Sequence, residues 1–382
     1  MKNWAFLLLS MLLAGCATAP ATQRHDGLFK DHLFVAPSER VSADDVFALD
    51  AAMKQYLSGE IADQMRAKGR QQGLFDALYS KGQLQIEYDS VMTRNAAQAF
   101  AARSGNCLSL VIMTAAFAKE LGVPVSYQTA VLAETWGRSG DIQFFIGHVN
   151  LTLGRDQPSV SLRRNESDFT IDFLPPLEIQ GLRTRVIGEE TIRAMYMNNR
   201  AAELLTQGQL NDAYWWARAA IEQDPVFTSS YNTLGVIYRR HGNAAEADKV
   251  LTYALEREPE NTRVMSNLVT VLNELGRVAE SKSLARKLEQ LEPDPPFSFF
   301  SRGMAAVQNR DYKAARDLFA KEIDRAPYYH EFHFWLAVAY VGLGESERAR
   351  KELAVAMATS TTRNDHAMYA AKLDRINGYR SP

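Results

Sequence analysis

Cysteine is nearly absent from this 382-residue chain: Cys16 and Cys107 are all there is. That excludes a framework of several disulfides and a cysteine-rich metal knuckle. An excess of charge of one sign is lacking too. Lys and Arg number 43 against 45 Asp and Glu, and a net charge of −2 argues against a nucleic-acid surface. No Cys/His cluster stands at metal spacing and no glycine-rich loop is set to cradle phosphate, so the sequence points to no metal and no cofactor. Past residue 16, no apolar run is long enough to cross a membrane.

What is present begins with a signal. Lys2 gives a positive start, and residues 4–14 are apolar. At about ten residues this stretch is half the length of a spanning helix. It ends in Leu13-Ala14-Gly15-Cys16, small residues immediately before a cysteine. That is the pattern of a bacterial lipoprotein signal, with Cys16 as the lipid attachment. An ordinary cleaved signal or a buried N-terminal helix is the plainer alternative. Ala17 stands where an inner-membrane retention signal has Asp. By resemblance to enterobacterial sorting, the expected place is the cell envelope, lipid-anchored to the outer membrane and facing the periplasm. Residues 17–40 lack periodicity and are expected to be a tether. Roughly 365 residues remain after the signal, enough for two domains. Cys107 is then the single thiol, with no partner for a disulfide.

The C-terminal half repeats. Pro225, Pro259, Pro293 and Pro327 are spaced by 34 residues. Ala213, Ala247, Ser281, Ala315 and Ala349 hold a second register. Gly208, Gly242, Gly276 and Gly344 hold a third, with Arg310 the exception, and Leu234, Leu268 and Leu336 a fourth, with Arg302 out of pattern. Glycine suits the turn between two helices, small residues suit close helix approach, and proline suits a helix stop. Period and residue order resemble the tetratricopeptide repeat, which implies antiparallel helix pairs stacked into an all-α solenoid. Five repeats are expected over 194–363, then a cap helix over 365–377. The resemblance implies a groove for a peptide or protein partner. Phe297, Phe300, Met304 and Phe334 are among the residues expected to face that groove, unless they pack against the next repeat or the N-terminal domain.

Residues 41–190 carry the candidate chemistry. Ser42 is expected to cap a helix over 43–57, and Thr93 one ending at Arg103. After Ser104-Gly105-Asn106-Cys107 the run 108–121 reads as a buried helix that Gly122 and Pro124 end. Cys107 thus stands at a helix N-terminus, where free amides and the helix dipole stabilise an anion. Three strand-like segments follow, 125–132, 144–153 with His148, and 168–173 with Asp172. Asp141, Asp156 and Asp168 are acidic rivals to Asp172, in loop-like sequence. A cysteine in an apolar helix is more often core, and a strand histidine more often structural. Another strand-like piece, 183–187, follows Pro175-Pro176 at the junction with the repeats.

The segments GNCLSLV at 105–111, LGVPV at 121–125, GHVNL at 147–151 and IDFLP at 171–175 resemble the transglutaminase-like, papain-related cysteine enzymes. The resemblance spans about 85–180. It implies an α+β domain in which a helix-borne cysteine packs on an antiparallel sheet, ahead of the solenoid. It also implies Cys107 as nucleophile, His148 as base and then acid, and Asp172 as the group that orients the imidazole. The reaction implied is amide cleavage or transfer through a thioacyl intermediate. Asn106, Gln128 and Trp136 are weaker candidates for the oxyanion or substrate site, with Tyr88 beside them. Trp136 stands in a Gly-rich loop that suits a lid or a substrate wall, the plainer alternative being an exposed hairpin with a partly packed tryptophan. Two other readings stay open. One is a scaffold lipoprotein in which this domain is a structural or peptide-binding module. The other is the peptidase class that cuts after double glycine, although Gly105-Asn106-Cys107-Leu108 lacks that class's motif.

Overall fold

A computed structural model of the chain describes residues 27–80, 83–89, 92–131, 136–139, 142–145, 147–154, 169–173, 183–327, 329–360 and 362–378. Cys16, the expected signal and the first ten residues of the expected tether lie outside them. Among the described residues no helix is long and apolar enough to cross a membrane.

The N-terminal unit opens with helices α1 (Ala51–Tyr56), α2 (Ala62–Lys68) and α3 (Arg70–Tyr79), α1 and α2 being joined by a widened turn over Leu57–Ile61. Asp50, and not Ser42, is the cap that starts α1, its side chain accepting the Met53 amide at 2.8 Å. Next come a short strand β1 (Glu87–Tyr88), helix α4 (Ala96–Ala102) and strand β2 (Ser104–Gly105), parallel to β1. Asn95 caps α4 in a reciprocal arrangement with Gln98, so Thr93 is released from the capping role expected of it.

Helix α5 (Cys107–Glu120) is the centre of this unit, and every residue from Cys107 to Ala118 is buried. It ends where the chain reverses at Gly122: the Gly122 amide bonds Lys119 O and the Val123 amide bonds Ala118 O at 2.8 Å. Around it pack Phe100 and Tyr56, both against Phe117. Each such large apolar side chain contributes about 1.5–3 kcal/mol by leaving water.

A four-stranded antiparallel sheet lies on α5, in the order β7 (Phe169–Ile171), β6 (His148–Leu153), β3 (Val125–Val131), β8 (Arg183–Ile187). Along β6 the side chains alternate. Val149, Leu151 and Leu153 enter the apolar core, and the polar His148, Asn150 and Thr152 that alternate with them are buried as well. The expected single strand over 144–153 is two elements. Strands β4 (Trp136–Ser139) and β5 (Ile142–Phe145) form a hairpin of their own, and β6 begins at His148.

The second half is a stack of helix pairs: α6 (Glu189–Thr206) with α7 (Leu210–Gln223), α8 (Thr228–Arg240) with α9 (Ala244–Arg257), α10 (Thr262–Glu274) with α11 (Val278–Leu291), α12 (Ser298–Gln308) with α13 (Tyr312–Arg325), and α14 (His330–Gly342) with α15 (Ser346–Ala358). Helix α16 (Arg363–Gly378) covers the end. The four spaced prolines each fall two residues after the second helix of a pair. Ala213, Ala247, Ser281, Ala315 and Ala349 are all buried at the helix contacts. The turn glycines adopt φ from +72° to +85°, and Arg310 is forced into the same left-handed conformation at φ +59°.

Two findings differ from the expected layout. Residues 28–38 are no tether. Phe34 stacks face to face on Tyr214, with ring centroids 3.9 Å apart. Lys30 N–H donates to Tyr214 Oη, Val35 N–H to Asn211 Oδ1, and Tyr238 Oη to the Leu28 carbonyl. The strap crosses the start of α7 and the end of α8. There is also no seam at residue 190. A single apolar core runs from Phe34 through α5 and the sheet to Leu272 in the third repeat. A second core starts at Phe297. Phe297 and Phe300 are buried in it, against each other and Phe332, so neither lines an open groove. Met304 packs partly buried beside them. Phe334 meets Tyr369 of α16.

Candidate functional site

The site is assembled from the start of α5, the start of β6 and the residue that follows β7. Asn106 is the N-cap of α5, and its Oδ1 accepts both the Ser109 amide at 2.9 Å and the Ser109 hydroxyl at 2.8 Å. Its Nδ2 donates to Thr93 Oγ1 at 2.9 Å. Cys107 follows as the first helical residue, 5% exposed, with Sγ 4.0 Å from the Gly147 carbonyl oxygen. Close approach makes Gly105 obligatory: a Cβ there would lie 2.6 Å from Ser109 Cβ. A Cβ on Gly147 would meet nothing within 4 Å, so the backbone beside the thiol borders open space.

His148 is buried, and its Nε2 lies 2.7 Å from Asp172 Oδ1 and 2.8 Å from Oδ2. Burial pulls the imidazole pKa down, but the hydrogen bond to Asp172 and the neighbouring Cys107 thiol outweigh it and raise it to about 9. Asn150, two residues along β6 on the same face, donates its Nδ2 to Asp172 Oδ2 at 2.9 Å. Its Oδ1 is buried with no hydrogen-bond partner among the described residues. Sequence reasoning missed Asn150, although the i, i+2 spacing from His148 was the available signal.

The structure thus brings together Cys107, His148 and Asp172. Two of the weaker candidates, Asn106 and Gln128, carry other hydrogen bonds. The Asn106 side chain is committed to capping. Gln128 sits opposite Asn150 in the sheet and donates to Thr152 Oγ1 at 3.0 Å, which in turn meets Thr170 Oγ1. Tyr88 is 41% exposed, paired in register with Gly105 two residues before the cysteine. The backbone of Trp136 pairs with Phe145 in the β4–β5 hairpin; its side chain lies outside the described residues, as do Asp141, Asp156 and Asp168. Among the described residues no group of three His, Cys, Asp or Glu side chains is arranged to hold a metal ion.

No curated protein matches the chain. Among solved structures, the chain is similar to YrrB, described as a TPR protein with an unusual peptide-binding site, at 22% identity and TM-score 0.26 over 47% of this chain and 92% of that one. It is similar to PilF of Pseudomonas aeruginosa at 19% identity and TM-score 0.29, over 50% and 94%. Likeness to MamA is 17% identity and TM-score 0.26, over 45% and 93%. The tetratricopeptide repeat family matches residues 232–295 and 300–361, and leaves the Cys107 unit outside the match. Matched family, 34-residue period and stacked helix pairs agree: the C-terminal half is an array of tetratricopeptide repeats.

Proposed function

We propose that the chain is a protein- or peptide-binding scaffold of the bacterial envelope, with the repeat array holding the partner and the N-terminal unit serving as a structural or peptide-binding module. The observation that carries it is the repeat array itself, since stacked helix pairs offer an extended surface suited to a peptide or a helix. Selection of displayed random peptides on the full chain tests it. An enriched sequence whose synthetic form binds saturably in calorimetry supports the reading, and absence of any enrichment overturns it. Lipid attachment at Cys16 and an outer-membrane address belong to the same proposal and rest on the sequence around residue 16. A Cys16→Ser chain that still incorporates labelled fatty acid contradicts them.

A second reading is favoured by one observation, the buried His148 imidazole held between Asp172 and the Cys107 thiol. On this reading the unit is a transglutaminase-like cysteine hydrolase or transamidase. With Nε2 taken by Asp172, Nδ1 is the nitrogen left to receive the thiol proton. The sulfur attacks an amide carbonyl of a peptide or protein, and the C–N bond breaks as His148 returns the proton to the leaving amine. Water or a second amine then resolves the thioester, giving hydrolysis or transfer. Asp172 keeps the ring in one tautomer and stabilises the imidazolium. The first turn of α5, where backbone amides lack intrahelical acceptors, suits the developing oxyanion. Mass spectrometry of acid-quenched mixtures with glutaminyl and lysyl peptides tests this. An acyl adduct on the Cys107 peptide, lost in His148→Ala, supports turnover; no adduct with any peptide class removes it.

A further inference from the structure

We propose that Asn199 and Glu203, on the first helix of the repeat array, are positioning residues for the Cys107 thiol that act through Thr93 and the Asn106 cap. This rests on the cysteine-enzyme reading above. Thr93 is 2% exposed and stands between the two halves of the molecule. Its backbone amide donates to Glu203 Oε1 at 2.6 Å. Its hydroxyl oxygen receives Asn199 Nδ2 from α6 at 3.1 Å and Asn106 Nδ2 from the α5 cap at 2.9 Å. Arg200 holds Glu203 in turn, with Nη1 2.7 Å from Oε2. On the other side, Asn106 Oδ1 carries the Ser109 amide and hydroxyl, and Ser109 Oγ accepts the Arg94 amide at 2.8 Å.

The chain of contacts is continuous from the repeat helix to the residue directly before the cysteine. An asparagine cap works only while its amide keeps one orientation, oxygen toward the helix and nitrogen away from it. Thr93 Oγ1 is what holds the nitrogen, and α6 is what holds Thr93. Cys107 is the first residue of the helix so capped, so a turn or shift of the Asn106 amide moves its sulfur relative to His148. Reactive geometry is sensitive at this scale, since a displacement of about 1 Å costs up to about 100-fold in rate. The repeats are thereby part of the frame of the thiol, and not a module merely joined to it.

The test uses the full chain and the alkylation rate of Cys107 by iodoacetamide from pH 5.5 to 9.5, read on the Cys107 peptide by mass spectrometry. Thermal melting is recorded for each variant. Thr93→Val removes the bridging oxygen at nearly constant shape, and Thr93→Ser keeps it. Asn199→Leu removes the donor on the repeat side. The expected result is a loss of about tenfold below pH 8 for Thr93→Val and about threefold for Asn199→Leu, with Thr93→Ser within twofold of the parent. If Thr93→Val melts below the assay temperature, Asn199→Leu decides. Superimposable profiles, or a loss by one factor at every pH, overturn the proposal. A His148→Ala profile identical to the parent removes the cysteine-enzyme reading, and the proposal with it.

Discussion

Phe34 is the residue that holds the strap, and replacing it by alanine releases residues 28–38 from the repeats. The ring is 7% exposed and lies nearly parallel to Tyr214, with the Tyr238 and His241 rings also in contact, both tilted. Phe→Ala changes in packed surroundings cost about 3–5 kcal/mol, and a stacked aromatic pair adds about 0.5–1.5 kcal/mol beyond buried area. Because water can enter part of the vacated space, the lower end applies, about 3 kcal/mol. That corresponds to about 150-fold at 1.4 kcal/mol per factor of ten. The amides to watch are Lys30, Val35 and Ser38, which donate to Tyr214, Asn211 and Asp212 respectively. Hydrogen exchange measures their opening free energy directly. In Phe34→Ala these three exchange about 150 times faster, while the Leu110 amide inside α5 keeps its rate. Exchange at the three amides unchanged by the substitution, or already unprotected in the parent chain, refutes the strap.

Arg310→Gly relieves a left-handed residue at the α12–α13 turn and stabilises the C-terminal repeats by up to about 1 kcal/mol once the added chain entropy of glycine is counted, read as a higher urea midpoint. Gly235→Ala places a Cβ 2.6 Å from Leu251 in the packed second repeat and costs about 1–3 kcal/mol in chemical denaturation, whereas Gly147→Ala, with nothing within 4 Å, leaves the midpoint unchanged. The His148 pKa is raised from 6.5 to about 9, so its contribution to stability is complete below pH 6.5 and is lost as pH rises through 9. Urea midpoints taken from pH 6.5 to 9.5 therefore fall, and His148→Gln flattens that fall.

The repeats were legible because their signals are local and recur: one proline, one small residue and one turn residue per 34 positions. The placement of Cys107 at a helix start was legible for the same reason, since glycine, an asparagine cap and an apolar run adjoin in sequence. Long-range contacts were not. Phe34 and Tyr214 are 180 residues apart, and no pattern in 17–40 announces the stacking. Thr93 is expected from the sequence to cap a helix, yet its hydroxyl is held by Asn106, the cap of α5, and by Asn199 of α6. The repeat pattern alone leaves Phe297 and Phe300 either at a groove or packed against the next repeat or the N-terminal domain. Pro295-Pro296 and the left-handed Phe297 reset the chain before α12, and both rings fall inward on Phe332. His148 and Asp172 were found as members of strand-like segments, but their 2.7 Å approach depends on the β6–β7 register, which sequence alone does not set.

That approach, with the thiol of Cys107 beside it, is the claim on which the candidate site stands. The most direct measurement is an NMR titration of the His148 imidazole in the parent chain and in Asp172→Asn. The account predicts a midpoint near pH 9 in the parent that drops toward 6.5 in the variant. A midpoint near 6.5 in both would mean that His148 and Asp172 are not paired, and would contradict it.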